Sequence, residues 1–126
     1  MMGWLLIIVL ILAYFGYMFI SRLLQRRYLK TLNEVDFRAG YRKAQLIDVR
    51  EPDEFKNGHI LGARNIPLTQ LKMRQTEIRH DMPIYLYCAN GIRSARGAAI
   101  LKRLGFKDLY QLEGGFKKWD GRVKKG

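Results

Sequence analysis

The sequence has one cysteine and two histidines in 126 residues. A lone thiol cannot close an intramolecular disulfide, and two distant histidines do not complete a cysteine-based zinc set. A single thiol fits a reducing compartment. Acidic residues are scarce: 11 Asp and Glu stand against 23 Lys and Arg, for a formal net charge of +12. That excess suits an anionic neighbour, whether nucleic acid, anionic lipid or a small anionic substrate. The basic residues form no aromatic-rich stripe and no nucleic-acid motif is present, which argues against nucleic acid. Internal repeats and low-complexity segments are absent, and the length allows one domain and little more.

Charge is missing altogether between Gly3 and Ile20, GWLLIIVLILAYFGYMFI. A helix of these 18 residues rises about 27 Å, close to the roughly 30 Å of a bilayer core. Eleven of them are Leu, Ile, Val or Phe, which favours insertion by at most about 3–7 kcal/mol. No polar stripe marks a surface-lying helix, and the remaining chain is too small to wrap an all-apolar helix as core. No basic residue precedes the run and no small-x-small site follows it, so a retained anchor fits better than a cleaved signal peptide. Ser21–Lys30, SRLLQRRYLK, carries four positive charges and no negative ones. Basic flanks stay inside, so a single-pass cell-membrane protein is expected, its amino terminus outside and the rest in the cytoplasm. The basic stretch suits contact with anionic headgroups, at about 1 kcal/mol per residue, and equally a solvated linker that only sets topology. The expected organisation is a transmembrane helix over 1–21, a basic juxtamembrane linker over 22–32, a domain over 33–121 and a loose basic tail over 122–126.

Beyond the linker, strand and helix signals alternate. Asn33–Gly40 reads as a short capped helix, Ala44–Val49 as a buried strand, and EPDEFKNG, with Pro52 in its first turn, as a second short helix. ARNIP is brief and extended, and residues 68–80 form a helix candidate. PIYLYC is the clearest strand and Ile92–Leu104 the clearest helix, whose Ala95, Gly97, Ala98 and Ala99 allow close approach to a sheet. Gly105 and Phe106 suit a left-handed cap with its hydrophobic contact. DLYQL is a further strand, and Gly114–Gly115 turn into a last short helix with Phe116 and Trp119. This alternation predicts an α/β fold with a mainly parallel sheet, whose ligands bind outside the carboxyl ends of the strands.

Cys88 sits at such an end. If the loop from Ala89 through Asn90, Gly91 and Ile92 to Arg93 curls, its amides form an anion nest, for which Gly91 permits the positive φ. The following helix adds its dipole and Arg93 a full charge. Each favours thiolate over thiol, which makes Cys88 a candidate nucleophile. The alternative is a buried thiol acting as a small hydrophobe.

The order of LIDVREPDEFKNGHILGARNIPL, PIYLYCANGIRSARGAAILKRLGF and LEGGFKKW resembles a single rhodanese (sulfurtransferase) domain. The resemblance runs from about Asp36 to Trp119. It implies a rhodanese-like α/β fold with a central five-stranded parallel sheet flanked by helices, here preceded by the transmembrane helix. It also implies that Cys88 takes up sulfane sulfur as a persulfide and passes it to a thiophilic acceptor, a thiol or cyanide. The amides of residues 89–93 would line the pocket for a small anionic donor, and neither metal nor organic cofactor is required. Asp48 would support the loop by hydrogen bonds. Arg50 would lie near the pocket or pair with Glu54, His59 would be structural and Trp119 core. Relatives that hydrolyse phosphate or reduce arsenate use Cys-x5-Arg, whereas Cys88–Arg93 is Cys-x4-Arg, which suits a compact sulfur donor. The loop is less basic than in the two-domain thiosulfate enzymes, which weakens the case for thiosulfate as the physiological donor. Some domains of this family serve as protein-binding modules, typically without the cysteine, so a tethered recruitment module for a protein partner is the alternative function.

Overall fold

The computed structural model describes residues 2–126. Helix α1 runs from Gly3 to Tyr28, well past the apolar segment. Ser21–Tyr28 is rich in Leu, Arg and Gln, good helix formers, and Arg26 and Arg27 in the last turn complement the helix dipole. The chain then passes directly into strand β1, Leu29–Leu32. The linker expected over 22–32 is therefore helix followed by strand. Leu29 is buried in the core, which fixes the junction.

Helix α2 spans Glu34–Gly40, capped by Asn33, whose side chain accepts from the Asp36 amide. Strand β2 is Gln45–Asp48, and α3 is Pro52–Lys56, preceded by a reciprocal cap between Glu51 and Glu54. The short strands β3 (His59–Ile60) and β4 (Arg64–Asn65) follow. Strand β5 is Ile84–Tyr87, α4 is Ile92–Arg103, β6 is Leu109–Leu112, and β7 is Val123–Lys124.

Five strands form one parallel sheet in the order β1-β6-β5-β2-β4. The edge strand β1 comes from the stretch expected to be linker. The tail expected to be loose instead pairs antiparallel, β7 with β3, with His59 opposite Lys124. The helix expected over 68–80 is two separate 3-10 turns, Leu68–Gln70 and Gln75–Glu77. Only Leu71 and Ile78 of the segment are fully inside. The Arg74 guanidinium binds the Asn65 carbonyl and the Gln70 and Glu77 side chains, so side-chain bonds organise the segment where a helical ladder was expected. The last short helix is likewise a 3-10 turn, Phe116–Lys118.

Alternation along β5 divides the core. Ile84, Leu86 and Cys88 face a cluster with Ala98 and Leu101 of α4 and with Leu71 and Ile78. Tyr85 and Tyr87 face the other way, onto Phe37, Tyr41 and Trp119. Gly97 is buried where α4 crosses the sheet; a Cβ there would lie 3.2 Å from Leu71 Cδ1. Just past the end of α4, Gly105 takes φ +95°, and the Phe106 amide reaches back to the Leu101 carbonyl.

Candidate active site

Cys88 is the first residue after β5 and its side chain is fully buried. Gly91, with φ +96°, turns the loop into α4, a conformation that glycine adopts without a Cβ clash. The turn brings two backbone amides onto the sulfur: Gly91 N–H at 3.0 Å and Ser94 N–H at 3.3 Å. The amide of Ile92 is instead taken by Asn90 Oδ1 at 3.1 Å. Of the loop amides expected to face the sulfur, that of Gly91 does so, and Ser94, one residue beyond the expected set, supplies the second. Two converging N–H dipoles at the start of a three-turn helix suit a negatively charged sulfur.

Ser94 is buried and ties the site to the sheet. Its Oγ lies 3.6 Å from Cys88 Sγ, 3.1 Å from the Gly91 carbonyl and 2.9 Å from Gln111 Oε1. Gln111 on β6 donates in turn to Thr31 Oγ1 on β1 at 2.9 Å. A continuous hydrogen-bonded chain thus runs from the thiol to an exposed side chain of the edge strand.

Arg93 does not hydrogen-bond the sulfur; it forms a bidentate pair with Glu54, at 2.6 and 2.8 Å. The hydrogen bonds from Arg93 hold the Glu54 carboxyl down at about 2, and the same bonds raise the Arg93 pKa. Arg50 therefore has no part in the pairing with Glu54. It lies buried on Asp48, with Nη2 2.7 Å from Asp48 Oδ2 and from the Gly58 carbonyl. Burial opposes its charge, and the hydrogen bond and charge of Asp48 outweigh burial, so its pKa lies above the ordinary value. The carboxylate bonds of Asp48 go to Arg50, not to the Cys88 loop: Oδ1 also accepts the Arg50 amide at 2.9 Å. Asn65 Nδ2 clamps the same turn through the carbonyls of Asp48 and Arg50.

The support beneath the loop comes from the other side. The Phe116 amide donates to the Cys88 carbonyl at 2.7 Å and the Lys117 amide to the Ala89 carbonyl at 3.2 Å. Gly115, at φ +68° and ψ −167°, makes this approach possible; a Cβ there would lie 2.6 Å from the Cys88 oxygen. The Arg50 guanidinium sits 4.4 Å from the Phe116 ring centroid, so the Asp48–Arg50 pair braces the turn that braces the loop. His59 is buried, stacked 3.6 Å from Phe55, with Nδ1 2.8 Å from the Phe55 carbonyl. Trp119 packs edge-on against Phe37 and Tyr41. Ser94, Gln111 and Gly115 were missed in the sequence. The Gly114–Gly115 pair was visible there, but only as a turn signal.

Residues 31–122 match the profile of the rhodanese-like domain. The chain is 58% identical over 118 residues to YqhL of Bacillus subtilis, a protein described as uncharacterized, covering 94% of each chain. It is 37% identical over 78 residues to the thiosulfate sulfurtransferase GlpE of Shewanella oneidensis, covering 62% of this chain and 77% of that one. A rhodanese-related protein from Thermoplasma volcanium superimposes with a TM-score of 0.71 at 29% identity, over 77% of this chain and 99% of that chain. Strand order, loop position and sequence thus agree, and the chain belongs to the rhodanese-like domain family.

Proposed function

We propose that this protein is a membrane-anchored sulfurtransferase that carries sulfane sulfur on Cys88. The convergence of the Gly91 and Ser94 amides on Sγ carries the reading, because such dipoles stabilise both a thiolate and the terminal sulfur anion that replaces it. The likeness to a thiosulfate sulfurtransferase supports it. The Cys88 thiolate attacks the outer sulfur of a donor such as thiosulfate or a low-molecular-weight persulfide. The donor S–S bond breaks, and the leaving group, sulfite or a thiolate, departs with the electron pair. The new Cys88 persulfide then gives its outer sulfur to a thiolate or to cyanide, and the Cys88 thiolate returns. Electrons balance within the exchange, so no external oxidant enters.

Helix α1 supplies the anchor. It is long and apolar enough to cross a membrane, and its side chains from Gly3 to Ile20 are all exposed. Arg22, Arg26 and Arg27 follow on the same helix, and a basic flank on that side supports a topology with the amino terminus outside and the domain in the cytoplasm.

Full burial of the Cys88 side chain favours a second reading, a tethered recruitment module in which the thiol is only core. Mass spectrometry of the full chain after thiosulfate treatment separates the two. A gain of one sulfur atom confined to Cys88, absent in Cys88→Ser with its fold intact, is the expected result. No gain, or unchanged cellular function in Cys88→Ser, gives the recruitment reading.

A further inference from the structure

The sheet has a polarity that the sequence does not display. All five strands run the same way, and register places Leu29, Leu109, Ile84 and Gln45 in one row at their amino ends. Helix α1 enters at that row through Tyr28 and Leu29. Cys88 lies beyond the opposite row, roughly 13 Å further along the strand direction.

Positive charge is concentrated at one end of the same axis. At the amino ends, Arg26 and Arg27 precede β1, and Arg42 and Lys43 precede β2, all exposed. Lys102 and Arg103 end α4 on that side, and Lys107 precedes β6. Of the two acids there, Asp81 is already paired with Arg79 at 2.6 Å, and Asp108 stands exposed between Lys107 and β6. At the carboxyl ends charge is mixed: Glu51, Asp53, Glu54 and Glu113 stand there with Arg93, Lys117 and Lys118, and Glu54 is already paired with Arg93.

Between Ile20 and β1 lie eight helical residues, Ser21–Tyr28, about 12 Å of rise. The headgroup layer on one side of a bilayer takes roughly 5–8 Å of that. The basic face is thereby held within about one Debye length, ~8 Å, of lipid phosphates. Resting on the reading of α1 as a membrane anchor, we propose that the amino-end face of the sheet docks on anionic phospholipid headgroups and turns the Cys88 loop toward the aqueous phase. Lys43, Lys102 and Lys107 then join the arginines of α1 in one lipid-facing surface. Sulfur donor and acceptor reach Cys88 from water and not from within the bilayer.

The test inserts the full chain into vesicles of phosphatidylcholine alone or with added phosphatidylglycerol. Lysines are labelled with a membrane-impermeant amine reagent and read by mass spectrometry. In the phosphatidylglycerol vesicles, labelling of Lys43, Lys102 and Lys107 is expected to fall at least about threefold relative to Lys56 and Lys117, and high salt is expected to restore it. The variant Lys43→Glu/Lys107→Glu is expected to stay vesicle-bound and to lose the protection at Lys102. Equal labelling at both ends in a chain that remains with the vesicles in high salt overturns the docking while leaving the anchor standing. A chain that leaves the vesicles in high salt overturns the anchor and the docking with it.

Discussion

Glu54 and Arg93 join the first turns of α3 and α4 through two hydrogen bonds of 2.6 and 2.8 Å. These helices begin beyond the carboxyl ends of β2 and β5, so the pair ties together the two segments that flank the Cys88 loop. Arg93 opens the helix that follows the loop, yet its guanidinium is occupied by Glu54.

Glu54→Gln breaks that pair. The Glu54 pKa is lowered to about 2 from 4.5 in the unfolded chain, chiefly by the Arg93 hydrogen bonds. The stabilisation is therefore complete above about pH 4.5 and lost as pH falls toward 2. Glu54 is 37% exposed, so screening holds the contribution to about 0.5–1 kcal/mol. Urea unfolding of wild type and variant is expected to differ by that amount at pH 7 and to converge near pH 2. The freed Arg93 is also expected to lower the KM for an anionic donor.

Ser94→Ala keeps the backbone amide on Sγ but removes the hydroxyl. Gln111 Oε1 then loses its 2.9 Å partner in a half-buried setting. The expected cost is about 1–2 kcal/mol of stability. Persulfide formation is expected to slow but persist, because the Gly91 and Ser94 amides remain. Stopped-flow sulfur transfer, with an unfolding curve alongside, checks both parts.

Gly115→Ala and Gly114→Ala should differ sharply. Position 115 combines a glycine-only backbone region with a Cβ 2.6 Å from fixed carbonyl atoms of Cys88 and Ala89. Its substitution is expected to cost at least about 2 kcal/mol and to impair the site. At Gly114 the crowding comes from the Lys118 side chain, which can swing away, so about 1 kcal/mol is expected. Equal losses in denaturant would show that the Gly115 approach does not brace the loop.

A soluble fragment should begin at Tyr28. Cutting at Asn33, the boundary expected from sequence, deletes β1 and uncovers one edge of β6. Burial of Leu29 alone is worth about 1.5–3 kcal/mol. The Asn33 fragment is expected to unfold at lower urea than the Tyr28 fragment.

The sequence by itself determined the local features. Eighteen uncharged, mostly apolar residues specify an apolar helix long enough to cross a membrane, because no polar stripe divides them. PIYLYC followed by a glycine turn and a small-residue helix places Cys88 at the strand–helix junction, since period, turn chemistry and cap all lie within twenty or so residues of one another.

Tertiary structure decided what depends on distant partners. LKTL carries no strand period and becomes β1 only because β6 offers an edge. The tail is ordered by β3, and residues 68–80 lose their helix to the bonds of Arg74. Arg50 and Arg93 meet two acids, Asp48 at the end of β2 and Glu54 in α3. Packing gives Asp48 to the buried one and Glu54 to the outer one, a choice made by distance in space, which spacing along a chain does not encode.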